Sequence, residues 1–147
     1  MKKITILGIG NRLMKDDGIG IYIVEELMKE RILDVNYSIG ETDVDYCLEV
    51  IEETDYLIVI DAVESGSDYG AVSMVDLKNI NPGSLGISAH NIHLFHQLKC
   101  QGSPGVLIGI EPFMVSFHWG LSEELNDSLP MIIKKVKRNI KSTIKSI

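Results

Sequence analysis

Acidic and imidazole side chains gather in three separate segments of the 147-residue chain, each beside an apolar run. The first, Gly8-Ile9-Gly10-Asn11-Arg12-Leu13-Met14-Lys15-Asp16-Asp17-Gly18-Ile19-Gly20, sets adjacent carboxylates among glycines. The second, Leu57-Ile58-Val59-Ile60-Asp61-Ala62, is an apolar run that ends in an acid. The third, Ser88-Ala89-His90-Asn91-Ile92-His93-Leu94-Phe95-His96, holds three of the four histidines. Two carboxylates and one imidazole delivered from separate loops make a three-ligand site with vacant positions for water or substrate. Such a donor set suits a borderline divalent ion such as nickel, zinc or manganese. Without metal, Asp17 and Asp61 can share one proton and activate a water between them, because two close carboxylates resist double ionisation. A nearby His90 imidazolium argues against that reading, since it favours ionising both acids.

Each of these groups also has a structural role available to it. Asp16 and Asp17 stand at a helix entrance, where an acid caps free N–H groups and complements the dipole. Both cannot occupy one cap. Asp61 can start a turn, but an acid at the carboxyl end of a central strand also points where open α/β sheets bind their ligands. Histidines at three-residue spacing lie about 60° apart on a helix, so His90, His93 and His96 can also form a His-only zinc site. Ile92, Leu94 and Phe95 compete for the buried side of that helix. His90, at the loop-to-helix junction, is the better ligand, and His93 and His96 read as boundary or surface residues.

The glycine segment does not read as a nucleotide site. Gly8-x-Gly10 supplies the first glycines of a dinucleotide fingerprint, but Leu13 occupies the position where a small residue lets helix and strand pack closely. Asp16 and Asp17 would repel a phosphate at the helix entrance. No Gly-Lys-Ser/Thr triplet makes a P-loop.

The elements that must position these residues alternate between strand-like and helix-like patterns, the signature of a mostly parallel sheet covered on both faces. Strands are predicted near residues 4–7, 35–39, 56–60, 71–75 and 106–110. Helices are predicted near 18–31, 45–53 and 91–99 and within 122–147. The turn-rich stretch Ser65-Gly66-Ser67-Asp68-Tyr69-Gly70 gives the fourth strand a short connection from the third, so it can run antiparallel. The expectation is a single three-layer α/β/α domain over residues 1–147 with a mixed, mostly parallel five-stranded sheet. Asn81-Pro82-Gly83-Ser84-Leu85-Gly86 is loop material expected to border the site. At the C-terminal end Ile133, Val136, Ile140 and Ile144 form a helical stripe backed by lysines, a docked amphipathic helix. Pro130 either starts that helix or lies within one begun near Ser122.

Composition excludes several classes of function. A net charge of -7 argues against nucleic-acid binding, which rests on a basic surface. No run approaches transmembrane length, so no membrane role is expected. Met1-Lys2-Lys3 is followed by too short an apolar stretch for a signal peptide. Cys47 and Cys100 form no Cys-x-x-Cys pair and are expected to be buried free thiols in a cytoplasmic protein.

The motifs together resemble those of the nickel-iron hydrogenase maturation endopeptidases. Gly8-Ile9-Gly10-Asn11-Arg12-Leu13-Met14-Lys15-Asp16-Asp17-Gly18 is similar to the family's Gly-x-Gly-Asn-x-Leu-x-x-Asp-Asp/Glu-Gly. Ile60-Asp61-Ala62 is similar to its strand-terminal Asp-Ala, and Ala89-His90-Asn91 resembles its metal-binding histidine segment. Gly109-Ile110-Glu111-Pro112 and Gly120-Leu121-Ser122 fall where the family has similar stretches. The resemblance implies a cytoplasmic protease that removes a C-terminal peptide from the hydrogenase large-subunit precursor after nickel insertion. By the same resemblance Asp17, Asp61 and His90 are the metal-contacting and catalytic residues, and Asp16 is assigned a supporting structural role. The nickel belongs to the substrate, so the isolated protein is expected to have an empty site or one filled by another divalent ion.

One departure concerns the loop after the second strand. Many members carry Gly-Gly-Thr or Gly-Gly-Ser there, whereas this chain has Gly40-Glu41-Thr42-Asp43. The family associates that loop with substrate choice, and a charged replacement either selects a basic precursor segment or faces solvent. Two rival functions share the same residues: a non-catalytic nickel checkpoint or delivery module, and a related peptidase with a different protein target.

Overall fold

Alternation along the central strands builds two hydrophobic cores, one on each face of a sheet. In β1 (Ile4–Ile9) and β3 (Tyr56–Ala62), Ile4, Ile6, Ile58 and Ile60 enter one core, while Leu7, Ile9, Leu57 and Val59 enter the other. β5 (Gly105–Ile110) divides the same way, with Val106, Ile108 and Ile110 opposite Leu107. Strands buried on both faces read as continuous apolar runs, which is why they are prominent in the sequence. The computed structural model describes residues 2–31, 34–83 and 86–147.

The five-stranded sheet has the order β2-β1-β3-β5-β4, where β2 is Val35–Glu41 and β4 is Val72–Asp76. β1 pairs in parallel with β2 and β3, β3 pairs in parallel with β5, and β4 is antiparallel to β5. α1 (Ile19–Met28) and α4 (Glu123–Ser146) cover one face through Ile19, Ile23, Leu27, Ile132, Val136 and Ile140. α2 (Val44–Glu52) and α3 (Ala89–Gln101) cover the other through Cys47, Ile51, Leu94, Phe95 and Leu98. The expected three-layer α/β/α architecture with its mixed sheet is therefore present.

Local differences from the sequence reading have identifiable causes. The stretch expected as one helix from residue 18 begins with a 3-10 turn, Lys15–Gly18, and Lys15 sits at φ 55°. Pro130 lies inside α4, which starts earlier because Ser122 caps it by accepting the Leu125 N–H at 3.2 Å. Cys47 is buried as expected, but Cys100 is exposed. The buried side of α3 runs through Asn91, Leu94, Phe95 and Leu98, and position 100 falls off that stripe. Of the loop expected to border the site, Ser84 and Leu85 lie outside the described residues. Among the described residues no helix is long and apolar enough to cross a membrane.

Close packing at the first strand-to-helix connection rests on a glycine that the dinucleotide fingerprint does not contain. A Cβ on Gly20 would collide with the Ile60 carbonyl oxygen, so α1 starts directly against the backbone of β3. Gly10, at φ +140°, would collide with the Asp17 carbonyl in the same way. These contacts hold the 3-10 turn, and Asp17 with it, over the carboxyl ends of β1 and β3.

Candidate active site

Asp17 follows β1, Asp61 lies within the end of β3, and His90 is in the first turn of α3. The parallel pairing of β1 with β3 carries the first two to the same edge, where ligands bind in open α/β sheets. His90 Nε2 stands 3.2 Å from Asp17 Oδ2, the oxygen that also accepts the Asn11 backbone N–H at 3.1 Å. Asp17 is 2% exposed, whereas the His90 side chain is 34% exposed. Imidazole and carboxylate thus meet at a boundary between interior and solvent.

Asp61 lies fully buried behind them. Its Oδ1 accepts the Ala62 N–H at 2.8 Å and its Oδ2 accepts the Asn91 side-chain amide at 3.0 Å. Burial pushes its carboxyl well above the ordinary aspartate range, and the charge of Asp17 pushes it the same way; the two hydrogen bonds oppose the shift without cancelling it. The acids are therefore close enough to couple. Asn91, itself buried, is a site residue the sequence reading did not single out. Its signal is position, directly after His90 and on the inward face of α3.

Asp16 has a different task from the helix cap that its position suggests. The helix entrance has no side-chain cap. Asp16 Oδ2 instead accepts the N–H groups of Phe113 and Met114 at 3.0 and 2.9 Å and the Ser122 hydroxyl at 2.8 Å, while Oδ1 accepts the Ser122 N–H at 2.7 Å. One buried carboxylate therefore clamps both ends of the connection between β5 and α4. Backbone bonds from Lys15 to His118, His118 to Leu13 and Gly120 to Arg12 fasten the same connection to the loop after β1.

A cleft of about 280 Å³ opens at this edge, lined by Asp17, Ala62, Glu64, Ile87, Ser88, Pro112 and Val115 among others. Glu111 braces one wall, its Oε1 accepting the Ser65 N–H at 2.9 Å, the Ser65 hydroxyl at 2.7 Å and the Ser67 N–H at 3.2 Å. A larger recess of about 680 Å³ beside β2 and α2 contains none of Asp17, Asp61 or His90. There Thr5 and Thr54 satisfy each other at 2.6 Å. The smaller cleft is the candidate site because it is lined by Asp17, a buried carboxylate that contacts His90 and whose charge is felt at Asp61.

His93 and His96 do not join His90. Both are exposed on α3, and His96 faces the Cys100 thiol at 3.7 Å. The His-only zinc arrangement is thus not assembled. Among the described residues no group of three His, Cys, Asp or Glu side chains is arranged to hold a metal ion. The site as it stands is an imidazole-carboxylate pair backed by a second, buried acid.

A doubly wound α/β protein with coupled carboxylates at the carboxyl edge of its sheet defines the class, and comparison with known proteins gives the family. The family model described as hydrogenase maturation protease matches residues 21–139, a span that includes Asp61 and His90 and begins just after Asp17. The hydrogenase expression/formation protein HupD of Rhizobium leguminosarum is 30% identical over 95% of this chain and 75% of its own length. The hydrogenase 3 maturation protease of Escherichia coli is 24% identical over 90% of this chain and 88% of its own. Among solved structures, the hydrogenase maturating endopeptidase HybD from E. coli superposes with a TM-score of 0.78 at 25% identity, covering 96% of this chain and 93% of that one. The chain belongs to the hydrogenase maturation protease family.

Proposed function

We propose that this protein is a cytoplasmic endopeptidase that removes the C-terminal peptide of a nickel-iron hydrogenase large-subunit precursor after nickel insertion, recognising the nickel bound to that precursor. The observation that carries the reading is the contact of His90 Nε2 with Asp17 Oδ2 at 3.2 Å, where Asp17 lines the cleft and acts on the charge of a fully buried Asp61. These residues supply oxygen and nitrogen donors without a thiolate, a set that accepts nickel among other divalent ions. Asp17, Asp61 and His90 would contact that nickel, whose chemistry is to polarise the scissile carbonyl as a Lewis acid.

One observation favours an aspartic-type contribution by the acids themselves. Asp61 is raised by burial and by Asp17, so the pair tends to retain one proton. Such a pair takes a proton from the attacking water as the water oxygen bonds to the scissile carbonyl carbon. It returns one to the amine nitrogen as the C–N bond breaks.

The test is incubation with nickel-loaded precursor, metal-free precursor and casein, followed by intact-mass measurement. Only the loaded precursor is expected to lose its C-terminal peptide. Cleavage of the metal-free precursor at the same bond would overturn recognition through nickel. Binding of loaded precursor without mass loss would identify a checkpoint module instead of a protease.

A further inference from the structure

Two polar side chains flank His90 at the start of α3, and neither does what its place in the helix asks of it. Asn91 stands on the inward stripe that continues through Leu94, Phe95 and Leu98, and it is 2% exposed. An apolar residue would fill that position at less cost, because a buried amide must be given hydrogen-bond partners. Ser88 occupies the N-cap of the same helix, yet its side chain makes no cap bond. Ser122, in the equivalent place on α4, does cap.

Both side chains are turned to the site instead. Asn91 Nδ2 donates to Asp61 Oδ2 at 3.0 Å, and the Ala62 N–H occupies the other oxygen at 2.8 Å. Rotation of a carboxyl about its last bond is otherwise soft, and a donor on each oxygen fixes its plane. Ser88 Oγ lies 3.3 Å from His90 Nδ1, while Nε2 of the same ring reaches Asp17 Oδ2 at 3.2 Å. A hydroxyl donates or accepts, so it holds Nδ1 whichever ring nitrogen carries hydrogen.

The turn that bears these residues is fastened to the end of β3. Ile87 bridges Val63 in antiparallel fashion, and the Glu64 N–H donates to the Gly86 carbonyl at 3.0 Å. The Asn91 N–H closes the turn on the Ser88 carbonyl at 2.9 Å. Ser88, His90 and Asn91 are therefore held as one piece against the strand that carries Asp61.

We propose that Asn91 and Ser88 are positioning residues of the reaction, Asn91 holding the Asp61 carboxyl in one plane and Ser88 holding the His90 ring against Asp17. The inference rests on the peptidase reading above and adds to it the means by which the reacting groups are kept in register.

The experiment measures kcat and KM for nickel-loaded precursor, together with thermal unfolding, in wild type, Asn91→Leu, Asn91→Ala, Ser88→Ala and Ser88→Thr. His93→Ala, on the exposed side of the same helix, is the control. Asn91→Leu is close in size to wild type but lacks the donor, and should lower kcat about thirtyfold with KM within about twofold. Asn91→Ala carries the same expectation and decides the point if the leucine variant fails to fold. Ser88→Ala should lower kcat about tenfold at unchanged KM and unchanged unfolding temperature, and Ser88→Thr, which keeps the hydroxyl, should process at about the wild-type rate. A helix cap behaves in the opposite way, since its loss lowers the unfolding temperature and leaves kcat alone. Nitrogen NMR of the histidine rings gives a readout independent of processing: Ser88→Ala should shift the His90 Nδ1 signal, and Ser88→Thr should restore it. If wild type processes the precursor while the Asn91 and Ser88 variants keep its kcat, the inference falls and the peptidase reading stands. A rise in KM at constant kcat would mark substrate contact instead of positioning and overturn it equally. Wild type that leaves loaded precursor intact removes both.

Discussion

Asp16 and Asp17 are neighbours in sequence and both are buried, yet their regions of the molecule treat a carboxylate in opposite ways. Around Asp16, three backbone N–H groups and one hydroxyl converge on the charge. Around Asp17 and Asp61, donors are fewer, and the charge of Asp17 together with burial disfavours ionisation of Asp61. A carboxylate satisfied on all sides holds structure together. One left short of donors, facing another acid and a cleft, is available for chemistry. Burial alone does not separate the two cases, and the count and origin of the donors does.

The largest expected effect tests the reactive side of that contrast. Asp17→Asn, Asp61→Asn and His90→Ala should each lower processing by at least about a hundredfold, read as the rate of precursor mass loss. His93→Ala and His96→Ala should process normally, because both side chains are exposed and away from Asp17. If His93→Ala failed as completely as His90→Ala, the division between site and surface histidines would have to be redrawn.

Asp16 tests the structural side. Asp16→Ala leaves the N–H groups of Phe113, Met114 and Ser122 without their acceptor and should destabilise the fold by about 3 kcal/mol, measured by urea unfolding. This exceeds the loss of a helix cap, for which about 1 kcal/mol is typical. A loss no larger than that would mean that the clamp on the β5–α4 connection adds little.

A smaller effect sharpens the comparison through pH. Because the Asp61 carboxyl is raised, the folded protein keeps this proton at pH values where the unfolded chain has released it. Its contribution to stability is therefore greatest at low pH and declines as pH climbs from the ordinary aspartate range through the raised value. Asp61→Asn removes that decline. The variant should unfold at a higher temperature than wild type at pH 7, and the difference should shrink on acidification, even as processing is lost. The smallest effect concerns the thiols. Burial lifts the Cys47 thiol to about 11, with a further push from Asp43, while Cys100 is exposed. A thiol reagent should label one cysteine in the native protein, Cys100, and both after denaturation.

Much of the scaffold was legible because burial on both faces writes β-branched and aliphatic runs directly into β1, β3 and β5. The acid at the end of β3 and the histidine opening α3 were legible for the same reason, since each interrupts or borders a strong periodic pattern. The partners of Asp16 were not. They lie 97 to 106 residues away, and no local pattern announces a bond of that span. The connection from Pro112 to Leu121 concentrates Phe113, Met114, Phe117 and Trp119 and still carries no sequence signal, because that composition neither repeats helically nor ends in turn residues. Cys100 was expected inside because thiols usually are; the register of α3 decides otherwise.

The span between Asp16 and Ser122 also sets an order of events during synthesis. While residues 1–110 leave the ribosome, β1 and β3 can pair, but the acceptor that Asp16 offers has none of its final donors. Only when Ser122 emerges can the clamp close, and with it the wall that carries Val115 beside the cleft. The nascent chain therefore holds an incomplete cleft until Ser122 is made, and a ribosome stalled before that point displays a sheet edge without this wall.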